Sequence, residues 1–216
     1  MNDLYWETIS PEMRQIMAGF STSEVGAHFY LAGGTALALQ LGHRKSFDLD
    51  FFSPDQDIPT IREALFSSLQ PFEPVLAESS WGNLVFLMQG VRVGFYGYGY
   101  RMAAEFRMAD DTRLASIQDI GLMKLDALLA RASRKDFFDI YEICQQISLR
   151  ALLDLAPQKY PSTRDFEAMV VRRLVYFERA DMEEPLPMLK LVTWQQVKAF
   201  FREQAIQLGR GWLECS

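Results

Sequence analysis

The sequence predicts an α+β fold, with a mixed sheet and flanking helices over residues 1–110 and a helical C-terminal region over residues 111–216. Three observations support this prediction. A strand, a glycine turn and a helix follow one another early in the chain, runs with two-residue alternation come next, and helical spacing of apolar residues dominates the second half. We expect the helical region to close one side of a cleft in the sheet region.

The first helix is predicted to begin after Ser10, because serine is a common N-cap residue and Pro11 suits the first helical position. The apolar residues that follow recur at helical spacing and predict one buried stripe. These residues are Met13, Ile16, Met17 and Phe20.

Gly33 and Gly34 form a turn between an apolar strand at residues 29–32 and a helix that continues to residue 40. Adjacent glycines tolerate positive φ and let the backbone approach a ligand closely. The free N–H groups at the start of the helix favour a phosphate. Gly42 stands where a helix C-terminal glycine is expected. The turn is therefore a candidate phosphate site.

Asp48 and Asp50 alternate with apolar residues in the next predicted strand. Both carboxylates should project from one face while Leu49 and Phe51 enter the core. Two close carboxylates repel each other, and a hard cation between them removes that cost. Mg²⁺ bound by one or two carboxylates and substrate phosphates is the usual arrangement.

Three further strands are predicted at residues 72–77, 83–88 and 91–98, after a helix at residues 59–69. Gln89 and Gly90 form a tight hairpin between the last two strands. The last strand carries Arg92, Gly94 and Tyr96 on one face.

We interpret the tyrosines from Tyr96 to residue 100 as rings that cover the sheet, with base stacking as the alternative. From residue 101 onward the pattern is interpreted as helical.

Two capping-box patterns predict helices that begin near residues 116 and 133, with a break near Ala132. Lys124 lies among apolar residues of the first of these helices, so its ammonium needs an anion. A triphosphate would serve, and so would an internal salt bridge with Asp126, Asp136 or Asp139. Further helices are predicted at residues 150–155, 163–178 and 193–208.

The composition restricts the class of protein. A net charge of −6 argues against a general nucleic-acid coat, because non-specific binding to phosphate backbones depends on clustered basic residues. The chain has 2 cysteines and 2 histidines without metal-ligand spacing, so Cys144 and Cys215 are expected to be thiols in a reducing cytosol. No signal peptide or membrane span is predicted, and the expected location is cytoplasmic.

The spacing of these motifs resembles a known superfamily. Gly33 and Gly34, then thirteen residues, then Asp48-x-Asp50 is similar to the signature of polymerase-beta-type nucleotidyltransferases. The fuller pattern, with Gly-Gly-Thr-Ala-Leu and then Arg44-x-Ser46 before the aspartates, resembles the AbiEii/AbiGii nucleotidyltransferase toxin family of bacteria. A second block supports the narrower resemblance and comprises Asp119, Ile120, Lys124, residues 127–131 and residues 135–141.

The resemblance implies transfer of an NMP group from an NTP to an RNA (tRNA) or protein acceptor. It further implies the toxin component of a toxin-antitoxin or phage-defence system, restrained by a cognate antitoxin. Mg²⁺ or Mn²⁺ would bind Asp48 and Asp50. The implied catalytic residues are Asp48, Asp50, Lys124 and Asp136, and the implied nucleotide-binding residues are Gly33, Gly34, Thr35, Arg44 and Ser46.

The sequence departs from the superfamily at the strand where a third carboxylate usually stands, because Arg92 and Gly94 cannot bind a cation. Three alternatives follow. The metal is held by two aspartates with triphosphate and water, or Glu105 or Asp136 supplies the missing ligand, or activity is lost. The last alternative describes a catalytically degenerate nucleotide or RNA sensor on the same fold. A plain interaction module with no NTP affinity is a third class.

Overall fold

The computed structural model describes residues 4–55 and 57–214, with side chains up to Arg210. The chain forms two compact units that divide between Ser116 and Ile117. The predicted boundary after residue 110 falls inside a strand hairpin of the first unit. That hairpin keeps the residues just after 110 with the sheet.

The first unit contains three α-helices and seven strands among the described residues. In chain order they are α1 Pro11–Ser21, β1 Tyr30–Ala32, α2 Gly33–Leu41, β2 Asp48–Ser53, α3 Ile58–Leu69, β3 Val75–Ser80, β4 Asn83–Met88, β5 Val91–Gly97, β6 Arg107–Ala109 and β7 Thr112–Leu114.

The described strands form one mixed sheet in the order β3-β4-β5-β2-β1-β7-β6. β2 runs antiparallel to β1 and parallel to β5, so it has a hydrogen-bonded neighbour on each side. The mixed sheet with flanking helices confirms the predicted α+β class. It also places the strand with the two aspartates in the interior of the sheet.

The core of the first unit lies on the sheet face opposite the two aspartates. Leu49 and Phe51 of β2 are buried there, as the alternation predicts. The ring of Phe20 on α1 lies 4.8 Å from the ring of Phe51 and 4.9 Å from that of Phe95, between centroids. Ser10 caps α1 by accepting a hydrogen bond from the backbone of Met13 at 3.2 Å, so the predicted helix start is confirmed.

The helical interpretation from residue 101 onward is wrong at its start, because β6 and β7 form an antiparallel hairpin. Asp110, in the turn between them, has a φ of +50°, a conformation that aspartate tolerates better than most residues. Each strand has 3 residues, too few for alternation to distinguish it from other structure. β7 pairs with β1 and so completes the sheet beside the glycine turn.

The second unit is helical in the part that the structure describes. Its helices are α4 Ile117–Ala130, α5 Arg134–Ile143, α6 Leu149–Lys159, α7 Phe166–Arg173, α8 Glu178–Met182 and α9 Trp194–Glu214.

The predicted break near Ala132 is confirmed, since this residue has a φ of +45° and separates α4 from α5. The single helix predicted over residues 163–178 is wrong, because α7 ends at Arg173 and a short α8 follows. The phenyl ring of Phe137 packs in the core of this unit against Phe177 and Phe201, with centroids 5.1 and 5.2 Å away. Among the helices described, none has the length and apolar character needed to cross a membrane.

Candidate active site

The glycine turn joins β1 to α2 with the backbone conformation that the sequence predicts. Gly33 has a φ of +67°, in the left-handed region that favours glycine. A Cβ on Gly33 would lie 3.1 Å from Oδ2 of Asp50, and a Cβ on Gly34 would collide with the guanidinium of Arg44. The two glycines therefore bring the turn against one acidic and one basic side chain.

Thr35 connects the first turn of α2 to the segment that leads into β2. Its hydroxyl donates to the backbone carbonyl of Asp48 and lies 2.7 Å from Oγ of Ser46. Both hydroxyl residues are buried. The structure thus brings these two predicted nucleotide-binding residues together, and their contacts hold the start of β2 against the helix of the glycine turn.

Arg44 supplies a positive charge at the glycine turn. Its side chain is buried, and its Nη1 donates to the backbone carbonyl of Lys45 at 3.0 Å. Because the guanidinium lies against Gly34, it stands where the start of α2 would receive a phosphate. A buried guanidinium and the N-terminal N–H groups of a helix at one point form an anion-binding arrangement.

Asp48 and Asp50 are half-buried on one face of β2, whose other face is buried. Two carboxylates beside a glycine turn at the start of a helix fit Mg²⁺, which accepts one or two carboxylates together with phosphate and water oxygens. In the described part of the first unit, no third His, Cys, Asp or Glu joins them in a group that could hold a metal. Glu105, one of the alternatives for a third ligand, is exposed and forms no such group with them.

β5 completes the site in a way that sequence reasoning missed. In the parallel register, Asp48 pairs with Arg92 and Asp50 pairs with Gly94. The hydroxyl of Tyr96 lies 3.3 Å from Oδ1 of Asp50. Alternation along β5 already predicted that Arg92, Gly94 and Tyr96 share one face. The sequence did not indicate that β5 would pair with β2.

The Tyr96 hydroxyl is a donor at neutral pH. Burial raises its pKa above the usual value, and the charge of Asp50 raises it further, while Arg92 opposes these effects. A protonated phenol can donate to a carboxylate, which can only accept when ionised. The hydrogen bond between Tyr96 and Asp50 therefore runs from the phenol to Oδ1.

Lys124 and Asp136, the other two residues implied by the resemblance, lie in the second unit. The Nζ of Lys124 lies 3.1 Å from Oδ1 of Asp136 and 2.6 Å from Oδ2 of Asp139. Asp136 also accepts hydrogen bonds from Arg131 at 2.8 and 2.9 Å and from Ser133 at 2.5 Å. The structure therefore contains the internal ion pair that the sequence left as an alternative to a triphosphate.

Asp136 is held in its ionised form. Burial alone would raise its pKa, but Lys124, Arg131 and Ser133 together hold the pKa well below the usual range. Opposite charges and donated hydrogen bonds both stabilise the carboxylate. At neutral pH this group accepts hydrogen bonds and carries no proton of its own.

Comparisons with known proteins support the identity of the fold. Residues 15–73 match the family described as nucleotidyl transferase AbiEii toxin, type IV TA system. An uncharacterized protein of Aquifex aeolicus is 31% identical over 212 residues, which cover 91% of this chain and 95% of that protein.

Two solved structures share the fold. MenT4, a nucleotidyltransferase toxin of Mycobacterium tuberculosis, superposes with a TM-score of 0.62 and 13% identity over 92% of this chain and 82% of that one. A candidate nucleotidyltransferase from Helicobacter pylori gives a TM-score of 0.56 and 17% identity over 95% of both chains. The chain belongs to the AbiEii family of nucleotidyltransferase toxins.

Proposed function

We propose that the protein transfers an NMP group from an NTP to an RNA (tRNA) or protein acceptor in a reaction that depends on Mg²⁺ or Mn²⁺. The observation that carries the proposal is the position of Gly33 and Gly34, whose turn lies against Asp50 on one side and Arg44 on the other. Phosphate and cation would meet at that point.

The glycine turn, Thr35, Arg44 and Ser46 would bind and orient the triphosphate. The start of α2 offers backbone N–H groups, and the guanidinium of Arg44 matches phosphate oxygens in shape and charge. Thr35 and Ser46 support this arrangement through their contact with each other and with the backbone of Asp48. Fixing the triphosphate orients its α-phosphorus for attack by an acceptor hydroxyl as the bond to pyrophosphate breaks.

Asp48 and Asp50 would hold the metal. When bound there, Mg²⁺ would neutralise the charge that develops on the leaving pyrophosphate and lower the pKa of the attacking hydroxyl. The two aspartates suit this because β2 fixes their backbone in the interior of the sheet and presents both side chains on one face.

Lys124 and Asp136 are part of the proposal as catalytic residues. Their support is the family resemblance, because the buried ion pair between them is equally suited to a structural role. We further propose that the helical unit closes one side of the nucleotide cleft, that the protein acts in the bacterial cytoplasm, and that a cognate antitoxin restrains it as in a toxin-antitoxin or phage-defence system.

A second candidate is a nucleotide or RNA sensor that has lost catalysis. The observation that favours it is Gly94, which lies opposite Asp50 and offers no metal ligand. A sensor would bind NTP and metal without turnover, so binding and turnover separate the two candidates.

The test is incorporation of label from each α-³²P-labelled NTP into bacterial RNA and protein, with and without Mg²⁺ or Mn²⁺. We expect metal-dependent labelling that Asp50→Asn abolishes. Asp55→Asn is the matched control, because it removes one carboxylate from the exposed loop after the same strand and should leave labelling unchanged. Metal-dependent binding of NTP without labelling of any acceptor would favour the sensor, and absence of NTP binding would contradict both.

A further inference from the structure

The space above Gly94 is filled by another residue of the same strand. A Cβ on Gly94 would collide with the ring and hydroxyl of Tyr96. Since Gly94 is the register partner of Asp50, the phenol reaches back along β5 to the level of that aspartate. The glycine therefore makes room for the Tyr96 hydroxyl beside the carboxylate.

The two oxygens of the Asp50 carboxylate have different neighbours. Oδ1 accepts from the hydroxyl of Tyr96 at 3.3 Å. Oδ2 faces the glycine turn, where it would lie 3.1 Å from a Cβ on Gly33. One oxygen is thus held by β5, and the other is directed to the turn that would bind the phosphates.

The Tyr96 ring is itself held in place. It stacks on Phe52 of the neighbouring strand, with centroids 5.0 Å apart and planes inclined by 27°. Arg92, on the same face of β5, interacts with the hydroxyl and forms an ion pair with Glu78 at 3.4 Å. A phenol fixed by its ring and by a neighbouring cation can impose its direction on the carboxylate that it contacts.

We propose that Tyr96 is a positioning residue that holds Asp50 so that Oδ2 faces the glycine turn and binds the divalent cation that accompanies the nucleotide. Without this hydrogen bond the carboxylate would be held by fewer contacts and would have more rotational freedom to lose when it binds a cation. Tyr96 removes this cost before the ligand arrives. The inference rests on the proposed function, since it requires a metal at Asp50.

The test measures binding of non-hydrolysable α,β-methylene NTP analogues by calorimetry, with and without Mn²⁺, and bound Mn²⁺ by electron paramagnetic resonance. Tyr96→Phe removes the hydroxyl and keeps the stacking ring. We expect affinity in the presence of Mn²⁺ to fall about tenfold, the low end for a hydrogen bond to a charged group. Affinity without metal should not change, because the glycine turn and Arg44 bind the phosphates.

Tyr98→Phe is the matched control, since it removes the same atom from a ring that also packs on Phe52, with centroids 5.4 Å apart. It should bind as the native protein does. In the Asp50→Asn background, Tyr96→Phe should cause no further loss of nucleotide affinity in the presence of Mn²⁺, because the carboxylate that Tyr96 orients is absent. Thermal unfolding of each variant checks that the fold is retained.

Three results would overturn the positioning role of Tyr96. They are native affinity of Tyr96→Phe in the presence of Mn²⁺, an equal loss of affinity without metal, and a further loss in the Asp50→Asn background. Failure of the underlying metal site gives a different result, in which Asp50→Asn itself binds Mn²⁺ and nucleotide as tightly as the native protein.

Discussion

The Nζ of Lys124 lies 2.6 Å from Oδ2 of Asp139, and both side chains are buried. The same ammonium contacts Asp136 at 3.1 Å, so it forms ion pairs with two carboxylates on the next helix. Buried charges of this kind are costly to leave without their partner. The contact therefore joins α4 to α5 across the break at Ala132 and makes the second unit sensitive to changes at Lys124.

Lys124→Met should lower the free energy of unfolding by about 3–5 kcal/mol, because two buried carboxylates lose the cation that they share. Urea denaturation monitored by circular dichroism measures the change. The double variant Lys124→Met/Asp139→Leu should recover most of the loss, since it removes one charge of each sign. A single variant as stable as the native protein would contradict the prediction.

The double variant also separates stability from the proposed catalytic role of Lys124. Its fold should be nearly as stable as the native one, yet labelling of acceptor from α-³²P-NTP should be lost because the ammonium is absent. Labelling at the native rate would assign Lys124 to stability alone. Lys124→Arg, which keeps a positive charge, is the companion variant.

The stability of the protein should fall in acid through Asp136. Its pKa in the folded state lies below the ordinary aspartate value of 3.8, so between the two values the unfolded chain binds more protons than the folded one. The contribution of Asp136 is therefore complete above about pH 4 and is lost as the pH falls through the folded pKa. Urea denaturation at several pH values should show that the free energy of unfolding falls more steeply in acid for the native protein than for Asp136→Asn.

Gly34→Ala should weaken nucleotide binding even without metal. The new methyl group would collide with the Arg44 guanidinium and displace it from the start of α2. Calorimetry with NTP in a chelating buffer should show reduced affinity. Gly82→Ala is the control, because a Cβ on Gly82 meets nothing within 4 Å, and equal affinity of the two variants would contradict the prediction.

Thr35→Val should lower the free energy of unfolding by about 1–3 kcal/mol, because the Asp48 carbonyl and the buried Ser46 hydroxyl lose a hydrogen-bond partner. Valine keeps the shape of threonine, so the change reports the hydroxyl. Thr35→Ser retains that hydroxyl, so its free energy of unfolding should fall by less. Equal loss in the two variants, measured by denaturation, would instead implicate the methyl group.

The sequence was sufficient for those parts of the site whose geometry depends on local rules. The positive φ of Gly33 and the shared face of Asp48 and Asp50 follow from glycine's freedom and from the two-residue period of a strand. The contact of Tyr96 with Asp50, two residues 46 positions apart, depends on the pairing of β2 with β5, which no local pattern specifies. Cys144 is a free cysteine in the structure, and Cys215 lies outside the described residues.

The alternation of β2 has a consequence for how this site tolerates sequence change. A strand that slips by one residue exchanges its two faces, so a deletion within β2 would turn Asp48 and Asp50 inward and expel Leu49 and Phe51. Substitutions at the aspartates would leave the fold intact and remove the proposed metal site, whereas insertions or deletions would destroy both together. Inactive descendants of this gene that still fold should therefore differ at the aspartates by replacement and keep the length of the strand.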